Sequence, residues 1–106
     1  MSKITLTHKN KEFVLEYNRQ SVRMMEGQGF AINELSSKPM TMIPLLFQGA
    51  FIKNCKGVKR AVIDEIYDGI GNKGELMNVL IEMYAETLSS LTDDNEEGNV
   101  TWELTK

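Results

Sequence analysis

The chain has 106 residues, of which 42% are hydrophobic and 25% are charged, and its formal net charge is −3. That length suits one domain with a modest core, and that composition is typical of globular proteins. The negative charge argues against nucleic acid as a partner, because phosphate binding depends on lysine and arginine.

Residues 3–17 have the alternation of a β-hairpin. Apolar side chains recur at every second position along the two predicted strands: Ile4, Leu6, Phe13, Leu15 and Tyr17. This period is typical of half-buried strands. The turn is predicted at residues 9–11, where Asn10 best accepts a left-handed conformation. A lone hairpin is marginal in water, so it must pack on the rest of the chain.

A short helix is predicted next, over 18–27, with Asn18 as its N-cap. Val22 and Met25 are expected to face inward from it. A loop then leads to the most apolar part of the chain.

That apolar part predicts a helix over 42–56, with Thr41 as the N-cap and Pro44 in the first turn. One face carries apolar side chains at the i, i+3, i+4 spacing: Ile43, Leu46, Phe47, Ala50 and Phe51. Leu45 and Ile52 fall on the opposite side, so the helix must be covered nearly all round. We therefore expect it at the centre of the molecule.

Two more helices are predicted over 58–70 and 73–91, the second opening with a capping box of Asn72 and Glu75. The inward face of the last helix is predicted to contain Leu76, Leu80, Met83, Tyr84 and Leu91. Residues 93–106 are expected to form an acidic flexible tail with a candidate short strand at 100–104.

The predicted fold class is therefore α+β and mostly α. A hairpin is followed by about four helices that pack around the central apolar helix, in one globular domain of residues 1–92.

The chain offers little for catalysis. One histidine, His8, and one cysteine, Cys55, cannot make a zinc site, so we expect no catalytic, cofactor-binding or metal-binding residue and no enzyme. A single cysteine also excludes an internal disulfide, as expected in a reducing compartment. The longest apolar run falls short of the ~20 residues that cross a bilayer, and the N-terminal alternation is unlike a signal peptide. We expect a soluble intracellular protein without a membrane partner.

Binding to another protein is the better expectation. Methionine adapts to irregular partners, and tryptophan is enriched at binding hot spots. The candidate contact residues lie on the outer side of the central helix and in the tail: Met40, Met42, Leu45, Ile52 and Trp102. The tail can add as a strand to a partner or dock on its own domain, and both alternatives are open.

A basic corner surrounds Gly57, consisting of Lys53, Lys56, Lys59 and Arg60. Cations near a helix C-terminus complement the helix dipole, and this explanation is favoured. The alternatives are an anionic partner or the acidic face of the last helix in another copy, as in a head-to-tail oligomer.

Four motifs, in a fixed order, carry a resemblance to a known family. They are Met25-Glu26-x-x-Gly29-Phe30, Lys38-Pro39-x-x-x-x-Pro44-Leu45-Leu46-Phe47-x-Gly49-Ala50-Phe51, Ile63-x-x-Ile66-Tyr67 and Leu80-x-x-Met83-Tyr84. Together with the hairpin and short helix, they resemble the tail assembly chaperones of long-tailed bacteriophages and prophages, especially those of Gram-positive hosts. The likeness covers most of residues 3–91. The sequence differs from the family pattern at 54–57, where relatives often carry a histidine-proline pair. This difference concerns where the central helix ends.

The resemblance implies a small, mostly helical protein that binds the tape measure protein, keeps it soluble and aids tail tube assembly. It also implies contact with the tail tube protein, self-association, a location in the cytoplasm of the bacterial host and absence from the mature virion. The motif residues implied to build mainly the core are Pro44, Leu46, Phe47, Gly49, Ala50 and Phe51. Two other functions stay open: a structural head-tail or tail completion protein of a phage or prophage, and a small DNA-binding regulator.

Overall fold

The computed structural model describes residues 2–92, 100 and 102–105. Within these residues, two strands are followed by helices, which confirms the predicted α+β, mostly α, fold. The elements are β1 (Ile4–His8), β2 (Lys11–Leu15), α1 (Arg19–Gly27), a 3-10 helix (Ile32–Glu34), α2 (Pro39–Gly49), α3 (Arg60–Gly69) and α4 (Lys73–Leu91). Residues 102–105 form no strand, and the acidic run at 93–99 lies outside the described residues.

The hairpin is confirmed, and its turn is one residue shorter than predicted, because Lys11 already belongs to β2. Lys9 and Asn10 form the turn, and both have positive φ angles, 51° and 65°. Two left-handed residues in succession make a tight turn whose twist matches that of the flanking strands. The strands pair antiparallel with Ile4 opposite Leu15, so their apolar side chains share the face that packs on the helices.

The predicted N-cap of α1 is confirmed, and it belongs to a capping box. The Oδ1 of Asn18 accepts a hydrogen bond from the backbone N–H of Ser21 at 2.7 Å. In return, the Oγ of Ser21 accepts one from the backbone N–H of Asn18 at 2.9 Å. Two donors that a helix start would leave open are thus satisfied.

We expect Asn18→Ala to lower the free energy of unfolding by about 1 kcal/mol, because it removes the acceptor for the Ser21 N–H. Urea unfolding followed by circular dichroism measures the change. Asn18→Asp keeps an acceptor and should lose much less. Asn78→Ala, at an exposed position of α4, is the matched control and should be neutral or slightly stabilising.

The central helix departs from its predicted bounds of 42–56. It begins at Pro39 and ends at Gly49, and residues 51–54 form turns. Proline suits the first helical position because its fixed φ is already helical, and this start prevails over the predicted cap at Thr41. Pro44 therefore lies inside the helix and not in its first turn, and it supplies no N–H to the carbonyl of Met40.

Hydrogen bonds from the residues after β2 end the central helix. The buried hydroxyl of Tyr17 donates to the carbonyl of Leu46 at 2.6 Å. The N–H of Glu16 donates to the carbonyl of Ala50 at 3.0 Å, and the N–H of Ala50 bonds three residues back, to Phe47, at 3.1 Å. Long-range contacts thus take the partners that a continuing helix would use.

We expect Tyr17→Phe to lower the free energy of unfolding by about 2 kcal/mol near neutral pH, because it leaves the buried carbonyl of Leu46 without this donor. Burial raises the pKa of Tyr17 above its ordinary value. The neutral phenol is therefore favoured in the folded state, and its contribution is full below about pH 10 and lost as the pH rises further. Urea unfolding across this range should show a weaker alkaline loss in the variant.

Aromatic rings link the helices to the hairpin around α2. The ring of Phe47 lies 5.2 Å from that of Phe51 and 5.1 Å from that of Tyr67 in α3. The ring of Tyr84 in α4 lies 5.9 Å from Tyr17 and 5.2 Å from the ring of Phe30. Edge-to-face pairs of this kind add to the gain from burial. The α2 helix contacts α1, α3 and α4, as expected of a central helix.

Two predictions about α4 are wrong. Asn72 is left-handed, with φ 55°, and its side chain makes no capping hydrogen bond, so there is no capping box with Glu75. Leu91 is 67% exposed, whereas Thr87 takes a buried position of the inward face. The other residues predicted on this face are buried or pack against the core: Leu76, Leu80, Met83 and Tyr84.

Candidate interaction surfaces

The methionines predicted to contact a partner have opposite environments. Met40 is 88% exposed in the first turn of α2, as a contact residue must be. Met42 is 3% exposed, and the N–H of Ala31 lies 3.4 Å from its Sδ. The earlier start of α2 explains the correction, because it places Met42 within the helix, where the i, i+4, i+7 spacing puts it on one face with Leu46 and Gly49. Met42 is a core residue and not a contact residue.

Leu45 and Ile52 are half-buried and pack against the core. Ile52 also lines an open crevice of about 430 Å³ that includes Met24, which is 45% exposed. Trp102 is 87% exposed. The predicted contact residues thus do not form one patch, since Met40 lies in the first turn of α2 and Ile52 follows its C-terminal end, about 15 Å away along the axis.

The family motif residues lie mainly in the core. Leu46, Phe47, Ala50 and Phe51 are buried, and Pro44 is half-buried beside Phe47. Gly49 is buried directly beneath the side chain of Met25 in α1. The motif therefore describes how α2 packs against its neighbours.

A groove between α1 and α4 is the apolar surface that sequence reasoning missed. It has a volume of about 160 Å³ and is lined by Arg19, Val22, Arg23, Glu26, Thr87, Leu88 and Leu91. Leu88 and Leu91 are 39% and 67% exposed. Arg19 crosses the end of the groove and donates to the carbonyl of Ser90. The missed signal is spacing, since Leu88 lies four residues after Tyr84 and three before Leu91. The apolar stripe of α4 therefore continues beyond the part of the helix that α1 covers.

The basic corner is divided in the structure. The Nζ of Lys53 lies 3.0 Å from a carboxylate oxygen of Glu16, and the amide of Asn54 donates to the other oxygen at 2.8 Å. The hydrogen bond from Asn54, and after it that from Lys53, lower the pKa of Glu16. Arg60 lines a separate crevice beside Phe47 and Tyr67.

Lys56 and Lys59 face the hairpin turn. They line a crevice of about 440 Å³ together with His8, Lys9 and Lys11. The Nε2 of His8 is enclosed and has no hydrogen-bond partner within the described structure. The Oε2 of Glu65 lies 3.9 Å from it, and the other carboxylate oxygen of Glu65 lies 2.9 Å from the Nζ of Lys9. This basic crevice could bind an acidic ligand, because several lysines line it.

Among the described residues, no three histidine, cysteine or acidic side chains are grouped so that they could hold a metal ion. In that same part of the chain, no helix combines the length and the apolar character needed to cross a membrane.

A family model described as "Domain of unknown function (DUF5055)" matches residues 1–105. Searches of curated proteins and of solved structures found no match.

Proposed function

This chain belongs to the DUF5055 family, and we propose that it is a tail assembly chaperone of a phage or prophage. It binds the tape measure protein in the cytoplasm of the bacterial host, keeps it soluble and aids assembly of the tail tube. It is not an enzyme, it leaves before the virion is mature, and its mechanism is the shielding of apolar client segments.

The observation that carries the proposal is apolar surface that the domain does not use for its own core. Leu88 and Leu91 remain exposed along the α1–α4 groove, whereas Leu46 and Phe47 of α2 are buried in the core. Apolar grooves of this kind bind amphipathic helices, whose apolar side chains recur at i, i+3, i+4 and i+7. Arg19, Arg23 and Glu26 provide a polar rim around the apolar strip, as is typical of protein interfaces. The resemblance of the core motif supports the same assignment independently.

Co-expression with the tape measure protein of the same phage tests the proposal. We expect the chain to move the tape measure from the insoluble to the soluble fraction and to co-purify with it. Leu91→Asp should reduce the co-purified amount by about tenfold, because a charge in the groove opposes apolar contact. Ser89→Asp, an exposed site on the same helix, adds the same charge and should have little effect. An insoluble tape measure in the presence of the folded chain would refute the chaperone assignment.

The alternative as a structural completion protein predicts that the chain is part of the finished particle. Mass spectrometry of purified virions distinguishes it from a chaperone, which we expect to be absent there.

The basic crevice is the observation that favours the DNA-binding alternative. Its cations, Lys9, Lys11, Lys56 and Lys59, lie on one side of the molecule, whereas the whole chain has a net charge of −3. We expect no electrophoretic shift of duplex DNA at physiological salt, because binding to phosphate requires many uncompensated cations. A shift under these conditions would place the regulator first.

A further inference from the structure

The outer edge of β1 is an unpaired strand edge. In a hairpin with a two-residue turn, His8 and Lys11 form a hydrogen-bonded pair, so Thr5 and Thr7 direct their backbone groups away from β2. Among the described residues, the backbone groups of Thr5 and Thr7 make no hydrogen bond outside the hairpin. Such an edge is a template for another strand.

The edge of β2, in contrast, is covered by the chain itself. The carbonyl of Val14 accepts a hydrogen bond from the amide of Asn54 at 3.4 Å and from the Sγ of Cys55 at 3.5 Å. The N–H of Glu16 bonds to Ala50. The open edge of the hairpin is therefore β1.

An apolar groove lies beside this open edge. It has a volume of about 400 Å³, and its apolar lining is Ile4 and Leu6 of β1, Ile70, and Leu76 and Val79 of α4. Val79 is 37% exposed. A strand added to β1 would direct every second side chain into this groove, on the face that Ile4 and Leu6 share.

The C-terminal segment of the chain has the matching pattern. Val100, Trp102 and Leu104 alternate with polar residues, and they are 87%, 87% and 75% exposed. Three large apolar side chains at period two are typical of a strand with one buried face. The molecule therefore carries both an open strand edge with an apolar groove and an uncovered apolar segment.

We propose that residues 100–104 of one copy add as an antiparallel strand to β1 of a second copy. Glu103 pairs with Thr5 through the backbone, Trp102 lies opposite Leu6 and Leu104 opposite Ile4. The indole enters the groove beside Val79 and supplies the main apolar contact, since a buried aromatic side chain removes about 150–250 Å² from water.

Charge complementarity favours this direction. Antiparallel addition places the residues before Val100 beyond the hairpin turn, at the basic crevice that contains Lys56 and Lys59. Those residues include the acidic run Asp93, Asp94, Glu96 and Glu97. Carboxylates there meet the lysines that line the crevice. Parallel addition would place them at the start of β1, where Lys3 is the neighbouring cation.

The fold makes a second copy the source of the strand. Ser2 bonds Glu86 near the end of α4, whereas Lys9 bonds Glu65 in α3, so the end of α4 lies at the start of β1. An antiparallel strand from the same chain must first return along α4, whose 19 residues span about 28 Å. The eight residues 92–99 reach about 29 Å at most, so they would have to run fully extended along α4, whereas a strand from a second copy carries no such constraint.

Trp102 is the only tryptophan of the chain, so its fluorescence reports the contact directly. We expect the emission to shift to the blue as protein concentration rises, in parallel with a rise in molar mass measured by light scattering after size exclusion. Emission of an exposed indole and monomer mass at all concentrations would overturn the proposal. A blue shift that is independent of concentration, with monomer mass, would show docking on the same chain and would also overturn it.

Complementary variants test the exchange. Trp102→Ser removes the strand contact, and Thr5→Pro blocks the edge, because proline is tolerated on an edge strand but cannot donate to a new one. Each variant alone should associate at least about tenfold more weakly than the native chain. Their equimolar mixture should restore association, since one supplies the edge and the other the segment. Failure of the mixture to associate would refute exchange between copies.

Two controls keep this test decisive. If Thr5→Pro does not fold, as judged by circular dichroism, Val79→Lys replaces it by placing a charge in the groove at a part-exposed site.

The direction of the added strand is tested by charge reversal. The double variant Lys56→Glu, Lys59→Glu should weaken association by about tenfold at low salt, and Lys3→Glu should change it little. The reverse ranking would overturn the antiparallel arrangement. None of these readouts needs the tape measure, so they are independent of the chaperone proposal.

Discussion

Phe47→Ala should lower the free energy of unfolding by about 3–5 kcal/mol, the largest effect we expect of any single truncation here. Phe47 is 1% exposed in the last turn of α2, and its ring contacts those of Phe51 and Tyr67. Truncation leaves a cavity between two helices and removes both edge-to-face pairs. Because small domains are stable by about 5–15 kcal/mol, a large part of the stability would be lost. Urea unfolding by circular dichroism measures the change.

Phe47→Leu is the matched control, since it keeps most of the apolar volume and should lose clearly less. A loss below about 1 kcal/mol for Phe47→Ala would contradict the position of Phe47 at the centre of the core.

The same reasoning applies to Phe51, which is 2% exposed. Phe51→Ala should lower stability without a separate effect on assembly, as size exclusion with light scattering on the still-folded variant would show.

The features predicted well from sequence depend on near neighbours in the chain. The hairpin turn requires two left-handed residues, which Lys9 and Asn10 supply, and the alternating apolar residues fix its register. The cap of α1 depends on Asn18 and Ser21, three residues apart. Such local chemistry is visible in the order of residues, so element type was predictable, although the equally local capping box at Asn72 was predicted and is absent.

The bounds of α2 were not predictable in this way, because they depend on residues far along the chain. Tyr17 and Glu16 end the helix by donating hydrogen bonds to the carbonyls of Leu46 and Ala50. The sequence of α2 itself gives no sign of these bonds. At its start, Thr41 was the predicted cap, whereas the helix begins at Pro39. This earlier start places Met42 within the helix, four residues before Leu46 and on the same buried face.

The interaction surfaces show the same limit. Leu88 and Leu91, at the end of α4, have the spacing of core residues. They are exposed only because α1 is shorter than α4 and does not cover them. Likewise, either edge of a hairpin can be open. The amide of Asn54 and the thiol of Cys55, some forty residues away, cover β2 and leave β1 free. Sequence pattern identified apolar residues, and the tertiary neighbours decided which of them face solvent.

Gly49→Ala should lower the free energy of unfolding by about 3 kcal/mol, although alanine is the better helix former. A Cβ at Gly49 would lie 2.3 Å from the Sδ of Met25 and 2.6 Å from its Cγ. Met25 is 0% exposed, so its side chain can give way only by displacing its neighbours in the core. Differential scanning calorimetry and urea unfolding measure the loss.

Gly69→Ala is a matched control, because Gly69 also ends a helix but a Cβ there meets nothing within 4 Å. It should be neutral or stabilising by up to about 1 kcal/mol. Met25→Ala alone should cost about 2–5 kcal/mol through its cavity. Combined with Gly49→Ala, however, the new methyl group occupies part of that cavity, so the double variant should be more stable than the sum of the single losses predicts. A coupling near zero would mean that α1 and α2 can move apart, and that the close approach over Gly49 does not hold the two helices together.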